Sequence, residues 1–324
     1  MGKVRRRQFL IAAGALLAAP LARAQGAFPS RPIRIIVPAS PGGAADILSR
    51  TIAQKLADAW GQPVLVDNRT GAAGIIGAEA AAKAPNDGYT IMMGFAGVIA
   101  VNPSLYKTLP YDSVKDYAPV ALVALSPLML VVHPAVPAYS VNELIALAKA
   151  KPGQLNFAST GSGSTQHLSA ELFKTMTGID MTHIPYKGSS LAYPDLLAGN
   201  VSLMFENMLS MLPNAKSGKV RALAVTGTKR SAAMPDLPTV ADSVPGFSAV
   251  GWYGVLAPAG TDAAIVNKLS AEINRILKLP EVSERLSSLG AEPSGSTPEE
   301  FAAHIRTEIA KWGKVVRDSG ARIE

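Results

Sequence analysis

An α/β fold of two similar lobes is what the sequence predicts, and three observations predict it. Strand and helix patterns alternate along the chain, one strand, glycine loop and helix order occurs twice, and 48% of the 324 residues are hydrophobic, enough for a sizeable core. The same composition excludes a disordered or fibrous chain.

The elements follow in order. A basic stretch to Arg7, an apolar run from Phe9 to Leu21 and the small-x-small triplet Ala22-Arg23-Ala24 make residues 1–24 a cleavable signal peptide, with the mature chain starting at Gln25. Arg6-Arg7-Gln8-Phe9-Leu10 fits a twin-arginine export signal, and an ordinary secretory signal fits as well. The apolar run is too short for a permanent span, which takes roughly 20 residues, and no other segment is long and apolar enough. Five of the 31 Lys and Arg lie in this leader, which carries no acid, so the rest of the chain has 26 positive charges against 24 negative. A body so close to neutral is no nucleic-acid binder. The absence of cysteine excludes disulfides, thiol nucleophiles, thiolate metal sites and a cysteine-linked lipid anchor. An exported, unanchored and soluble chain points to the bacterial periplasm.

Ile33-Arg34-Ile35-Ile36-Val37 fits a buried parallel strand. The loop Pro38 to Gly43 leads into a helix with Asp46 near its start, Ile47, Leu48, Ile52 and Leu56 at helical spacing, and Gly61 past its end. A strand at Pro63 to Val66, the loop Gly71-Ala72-Ala73-Gly74, an alanine-rich helix to about Ala84 and a strand Tyr89 to Gly94 complete the first unit, and the sheet is expected to be mostly parallel. The second unit repeats the order: strand Leu155 to Ala158, loop Ser159 to Ser164, helix His167 to Thr175, strand Met181 to Pro185, loop Tyr186 to Ser190, helix through Leu197, and strand Val201 to Phe205. Two apolar extended segments, Val120 to Val132 with a Ser126-Pro127 break and Ser248 to Leu256, read as crossings between lobes. Helical periodicity at 263–279 and 298–317 closes the chain, the latter behind the capping sequence Thr297-Pro298-Glu299-Glu300.

Ser40-Pro41-Gly42-Gly43 and Ser159-Thr160-Gly161-Ser162-Gly163-Ser164 each join the carboxyl end of a strand to a helix start, the crevice where open α/β sheets bind ligands. Helix starts present free N–H groups and a partial positive charge, and glycine lets an anion approach the backbone. Two such loops can clamp a carboxylate. Neither contains Arg or Lys, so recognition rests on backbone amides, hydroxyls and water. Small residues also serve merely to make tight turns; the paired occurrence favours ligand contact.

Asp46 and His167 sit in the first turns of their helices beside these loops. Asp46 reads also as a cap, and His167 as a neutral ring bonding a loop carbonyl or water. His133, His183 and His304 are scattered, so no metal site is expected, and no cofactor. Tyr186-Lys187-Gly188 offers Lys187 as a counter-ion for an acidic ligand, and Glu206-Asn207 offers a carboxylate for a ligand ammonium or hydroxyl. The bland readings are a solvated lysine and a surface acid. Trp252 and Tyr253 serve either as pocket wall or as core. Enzyme signatures are mostly missing: Pro38 replaces the first glycine of a nucleophile elbow at Pro38-Ala39-Ser40-Pro41-Gly42, Gly71 to Gly77 has the wrong spacing for a dinucleotide fingerprint, and there is no phosphate-loop lysine.

A set of stretches resembles the periplasmic solute receptors of tripartite tricarboxylate transporters, also called Bug receptors. They are Ile36-Val37-Pro38 with Gly42-Gly43 and Asp46 to Arg50; Val66-Asp67-Asn68-Arg69 with Gly71-Ala72-Ala73-Gly74; Asp87-Gly88-Tyr89-Thr90; Ser159 to Ser164 with His167-Leu168; Pro185-Tyr186-Lys187-Gly188; Met204-Phe205-Glu206-Asn207; and Trp252-Tyr253-Gly254 with Ala257-Pro258. They span nearly the whole mature chain in order.

The resemblance implies a type II periplasmic-binding-protein fold of two Rossmann-like lobes, residues 25–124 plus 251–324 and residues 125–250, hinged on the two crossing segments. It implies a monomer that closes over a small carboxylated solute and hands it to the membrane permease subunits of the transporter. It also implies that the two glycine loops hold a carboxylate through backbone and water, and that the far side of the pocket selects the solute. Glu206 stands where relatives often have Asp, and after the third strand Ala96 is followed by Gly97-Val98-Ile99 where hydroxyl residues are common. The distal pocket is therefore expected to be more apolar than usual, leaving a mono-, di- or tricarboxylate, an amino acid or an aromatic acid as candidates. Two other functions fit the same scaffold: a hydrolase or isomerase with His167 or Asp46 as base, and a ligand sensor for a membrane kinase.

Overall fold

The first strand forms where the β-branched run predicts it. In the computed structural model, which describes residues 28–319, β1 (Ile33–Val37) is buried at four of its five positions and lies between β2 (Val64–Asn68) and β3 (Thr90–Phe95), parallel to both. The signal peptide expected over residues 1–24 lies outside the described residues. Helix α1 (Ala44–Trp60) buries Leu48, Ile52 and Leu56 and ends at Gly61, whose φ of 64° lets its N–H bond the Ala57 carbonyl. Helix α2 (Ile75–Ala82) follows β2, and a wide turn at Gly97–Val101 running into the short α3 (Asn102–Leu105) follows β3.

The second unit comprises β5 (Asn156–Ser159), α5 (Thr165–Thr177), β6 (Thr182–Pro185), α6 (Ser189–Ala198) and β7 (Leu203–Asn207), with β5 parallel to both β6 and β7. Between the units run β4 (Tyr117–Val132) and α4 (Val141–Ala150), and after them α7 (Met208–Lys216), β8 (Arg221–Val225), β9 (Val250–Pro258), α8 (Ala263–Leu277), α9 (Pro280–Ser288), β10 (Glu292–Pro293) and α10 (Pro298–Ser319). The capping box is in place at α10: the Glu300 N–H bonds Thr297 Oγ1 at 3.2 Å and the Thr297 N–H bonds Glu300 Oε2 at 2.9 Å.

The strands form one sheet in the order β2-β1-β3-β9-β4-β7-β5-β6, with β8 and β10 also on β4. The expectation of a mostly parallel sheet is corrected here. Parallel pairing is confined to the two outer triplets, while β9 pairs antiparallel with β3 and β4, and β4 with β7 and β8. The crossings pass between the triplets in opposite senses, so they meet antiparallel in the middle. The expected Ser126-Pro127 break is also absent, because β4 runs straight through it. Pro127 sits where β4 leaves β9 for β7, and the next N–H, of Leu128, is met by Thr226 Oγ1 at 2.7 Å.

Phe157, Phe173, Phe205, Phe247, Phe301, Trp252 and Trp312 are the largest aromatic side chains that are almost wholly buried. Each contributes roughly 2–3 kcal/mol of transfer free energy. Helix α10 rests on β4 and on the turn after β3.

Candidate functional site

The carboxyl ends of both parallel triplets open into one cavity of about 400 Å³. The loops after β1, β2, β5 and β6, the ends of β3 and β7, and Gly251 to Tyr253 on β9 wall it. Among the residues expected from sequence, Ser40, Gly43, Ala96, Gly97, Thr160, Gly161, Ser162, Ser164, Tyr186, Lys187, Gly188, Glu206 and Asn207 line it together. Pro41, Gly42, Asp46, Ser159, Gly163 and His167 do not.

Several of those outside the wall hold the loops instead. Asp46, 4% exposed, accepts from the Gly42 N–H and from Arg50 Nε, both at 3.0 Å, and ties the first loop to its helix. Burial alone would raise its pKa, but the hydrogen bonds from Arg50 and Gly42, with the Arg50 charge, hold it below the usual carboxylate value. Ser164 Oγ caps α5 by accepting from the His167 N–H at 3.2 Å, and His167 Nδ1 accepts from the Gly163 N–H at 3.0 Å. The His167 ring stacks on His183 at 4.0 Å between centroids, His183 stacks on Phe157 at 4.9 Å, and Ser159 Oγ lies 2.7 Å from His183 Nε2. The second loop therefore stands on two neutral imidazoles, His167 bonded through the Gly163 N–H rather than the carbonyl or water expected, and His183 through the Ser159 hydroxyl.

Burial pushes both histidines down to about 4. The unfolded chain binds their protons more readily, so their contribution is fully present above pH 6.5 and is lost as pH falls toward 4. For either ring the full loss is roughly 3 kcal/mol. Glu206 works in the opposite sense, since burial raises its pKa and its ionisation destabilises the fold as pH rises above 4.5. The expected result is a urea midpoint that falls between pH 7 and 4.5, with a clearly shallower fall in His183→Gln; equal slopes would remove the histidine pair as the cause.

A third loop, Gly71 to Gly74, which is not among the ligand-binding residues expected from sequence, also lines the cavity. Gly71 and Gly74 have φ of 120° and 87°, and between them Ala72 and Ala73 are themselves left-handed at 45° and 51°. Each such alanine costs about 1 kcal/mol or more. Asn102 Nδ2 donates to the Ala73 carbonyl at 3.3 Å and holds that turn against the cavity. Gln166 also joins the wall, as do Trp252 and Tyr253, for which core packing is the commoner expectation.

Four helices start at the cavity: α1 after Gly43, α2 after Gly74, α5 after Ser164 and α6 after Gly188. The three glycine starts have no side-chain cap, which leaves N–H groups and the positive ends of the helix dipoles for an anion. Lys187 and Glu206 are the charged side chains in the wall; Lys187 is exposed and Glu206 is buried. Among the described residues no group of His, Asp and Glu is arranged to hold a metal ion.

Comparison with known proteins follows the same lines. The family model described as tripartite tricarboxylate transporter family receptor matches residues 48–321. The protein BugT of Bordetella pertussis is 42% identical over 98% of this chain and 96% of its own length. A solved structure from R. palustris, Rpa4515 with adipate, superposes with a TM-score of 0.90 at 40% identity, covering 91% of this chain and all (100%) of that one. MatC from Rhodopseudomonas palustris with bound malate gives 0.85 at 32% identity, covering 89% and 100%.

Proposed function

The chain belongs to the tripartite tricarboxylate transporter receptor family, and from that premise we propose that it is a periplasmic receptor that closes on a small carboxylated solute and delivers it to a membrane permease. One observation carries the reading at the site. Uncapped helix starts from both parallel triplets converge on a single cavity, with no arginine in the wall among the described residues, so a carboxylate is held by backbone N–H groups and hydroxyls. Adipate and malate in two relatives' structures are ligands of this chemistry.

The two lobes of this reading are residues 25–124 with 251–324 and residues 125–250, and β4 and β9 are the hinge. Ligand contacts made from both lobes at once favour the closed state. Among the described residues no helix is long and apolar enough to cross a membrane, which fits a receptor free between two membranes. The histidine and aspartate weighed as bases are engaged in holding loops, which supports binding without turnover.

The test is calorimetric titration and thermal unfolding of the mature chain from Gln25 with mono-, di- and hydroxy-carboxylates of four to six carbons. At least one is expected to bind without turnover, and at one hundred times its Kd to stabilise the fold by about 2.7 kcal/mol. Silence across the set, in protein shown by native mass spectrometry to carry no ligand, would sink the reading.

A further inference from the structure

The floor of the cavity is an acceptor, and this decides which carboxylates fit. Glu206 ends β7 in the cavity wall and is 1% exposed. Its Oε1 accepts three hydrogen bonds, from Gln166 Nε2 at 3.0 Å, the Asn207 N–H at 2.8 Å and Asn207 Nδ2 at 3.2 Å. Its Oε2 is buried and has no hydrogen-bond partner among the described residues. Thr160 Oγ1 lies 3.2 Å from Gln166 Oε1, which fixes the amide with its nitrogen toward Glu206. Asn207 spends its own nitrogen on Glu206, and its Oδ1 is likewise buried without a partner. Two adjacent acceptors thus stand unmet in the wall, with the nearby amide donors already in use.

A buried acceptor left unmet is costly, so the ligand has to supply what the protein does not. We propose that Glu206 Oε2 and Asn207 Oδ1 form the specificity end of the site and require a ligand group that brings a hydrogen to donate: a hydroxyl, an ammonium, an amide N–H or an un-ionised carboxyl. The ligand is then polarised, with an ionised carboxylate at the helix starts and a donor at the floor. An ionised second carboxylate is rejected there, because it would face two acceptors and a like charge. The other titratable groups around Glu206 are Tyr193 on α6 and Tyr253 on β9, phenols that burial keeps neutral, and Lys187, exposed on the loop after β6. The Tyr193 hydroxyl lies close enough to favour the ionised Glu206, but its proton is directed to Ser210 Oγ at 2.7 Å, which leaves Oε2 unmet.

This inference rests on the receptor reading, and one experiment separates the two. Matched ligands of one chain length, an ω-hydroxy acid, an ω-amino acid and the α,ω-dicarboxylate, are titrated into the wild-type chain at pH 8 and pH 6 in buffers of different ionisation enthalpy. The hydroxy or amino ligand is expected to bind at least about 30-fold more tightly than the dicarboxylate at pH 8, without proton exchange. The dicarboxylate is expected to take up about one proton on binding and to gain affinity at pH 6. Glu206→Gln is expected to close the gap at pH 8; the wild-type series stands without it should the variant not fold. A dicarboxylate that binds at pH 8 as tightly as its hydroxy counterpart, with no proton uptake, overturns the inference and leaves the receptor reading intact. If no ligand of any length binds, the receptor reading falls, and the inference with it.

Discussion

Replacing Gly188 with alanine is expected to weaken binding of the chain's carboxylate ligand by about 100-fold or more while leaving a folded protein, because the change acts where the two halves of the site meet. Gly188 has φ of 127°, a region side chains rarely enter, and a Cβ there would lie 2.7 Å from Ser40 Oγ and 2.9 Å from Ser40 Cβ. The backbone strain is about 1–3 kcal/mol. Ser40 belongs to the loop after β1 and Gly188 to the loop after β6, so the clash opposes the approach of the two loops themselves. Gly43 looks as constrained in sequence, but its φ is −78° and the nearest atom to its Cβ would be the Ser40 carbonyl oxygen at 3.4 Å, so Gly43→Ala should be tolerated. Calorimetric titration of Gly188→Ala and of the double variant with Ser40→Gly separates steric from backbone effects. The double variant is expected to regain about tenfold, with the remainder due to φ. Affinity within threefold of wild type in Gly188→Ala would show that these loops do not close on the ligand.

Much of this site was legible because its chemistry is local. A strand that ends in small residues before a helix start is a pattern within ten residues, and it located the loops at Ser40 and Thr160 without any tertiary information. The loop at Gly71 carries the same small residues between a strand and a helix, and neither its lack of dinucleotide spacing nor its place in the family resemblance marks it as ligand-binding. Its strain was not legible at all, since Ala72 and Ala73 have side chains that disfavour the conformation they hold, and Asn102, far along the chain, helps hold it. Glu206 reads either as a ligand contact or as a surface acid at a strand end, and its near-complete burial in a wall shared with Trp252 and Tyr253 of β9 is a tertiary feature that local sequence does not carry. Pro127 reads as a break because proline lacks an N–H, a loss that does not matter at the one point where β4 changes partners. Helix α4 had a legible start, Ser140 with Glu143, where the Glu143 N–H bonds Ser140 Oγ at 3.2 Å. Helix α7 was masked by Pro213 inside it.

The largest stability effect is expected at Gly254 and Phe301, where the cavity wall is braced from behind. Gly254 lies in β9 opposite Gly94 of β3 and Leu122 of β4, so its backbone is fixed on both sides. A Cβ there would run into the Phe301 ring of α10, with Cε1 and Cε2 at 2.7 and 2.8 Å and Cζ closer still. Phe301 is fully buried and meets Trp252 edge-on at 5.6 Å, while the Trp252 and Trp312 indole N–H groups both donate to Glu308 Oε2, at 3.1 and 2.9 Å. Phe301→Ala is expected to cost about 3–5 kcal/mol through the cavity it leaves, and Gly254→Ala about 1–3 kcal/mol or more through overpacking. The same space is at issue in both, so the added methyl should fill part of what the lost ring vacates. The double variant should therefore be at least about 1 kcal/mol more stable than additivity gives. Urea unfolding of the four proteins measures this, provided the slope with denaturant stays constant. Strict additivity would mean that β9 shifts to accommodate the methyl, and that α10 does not set the position of Trp252 in the wall.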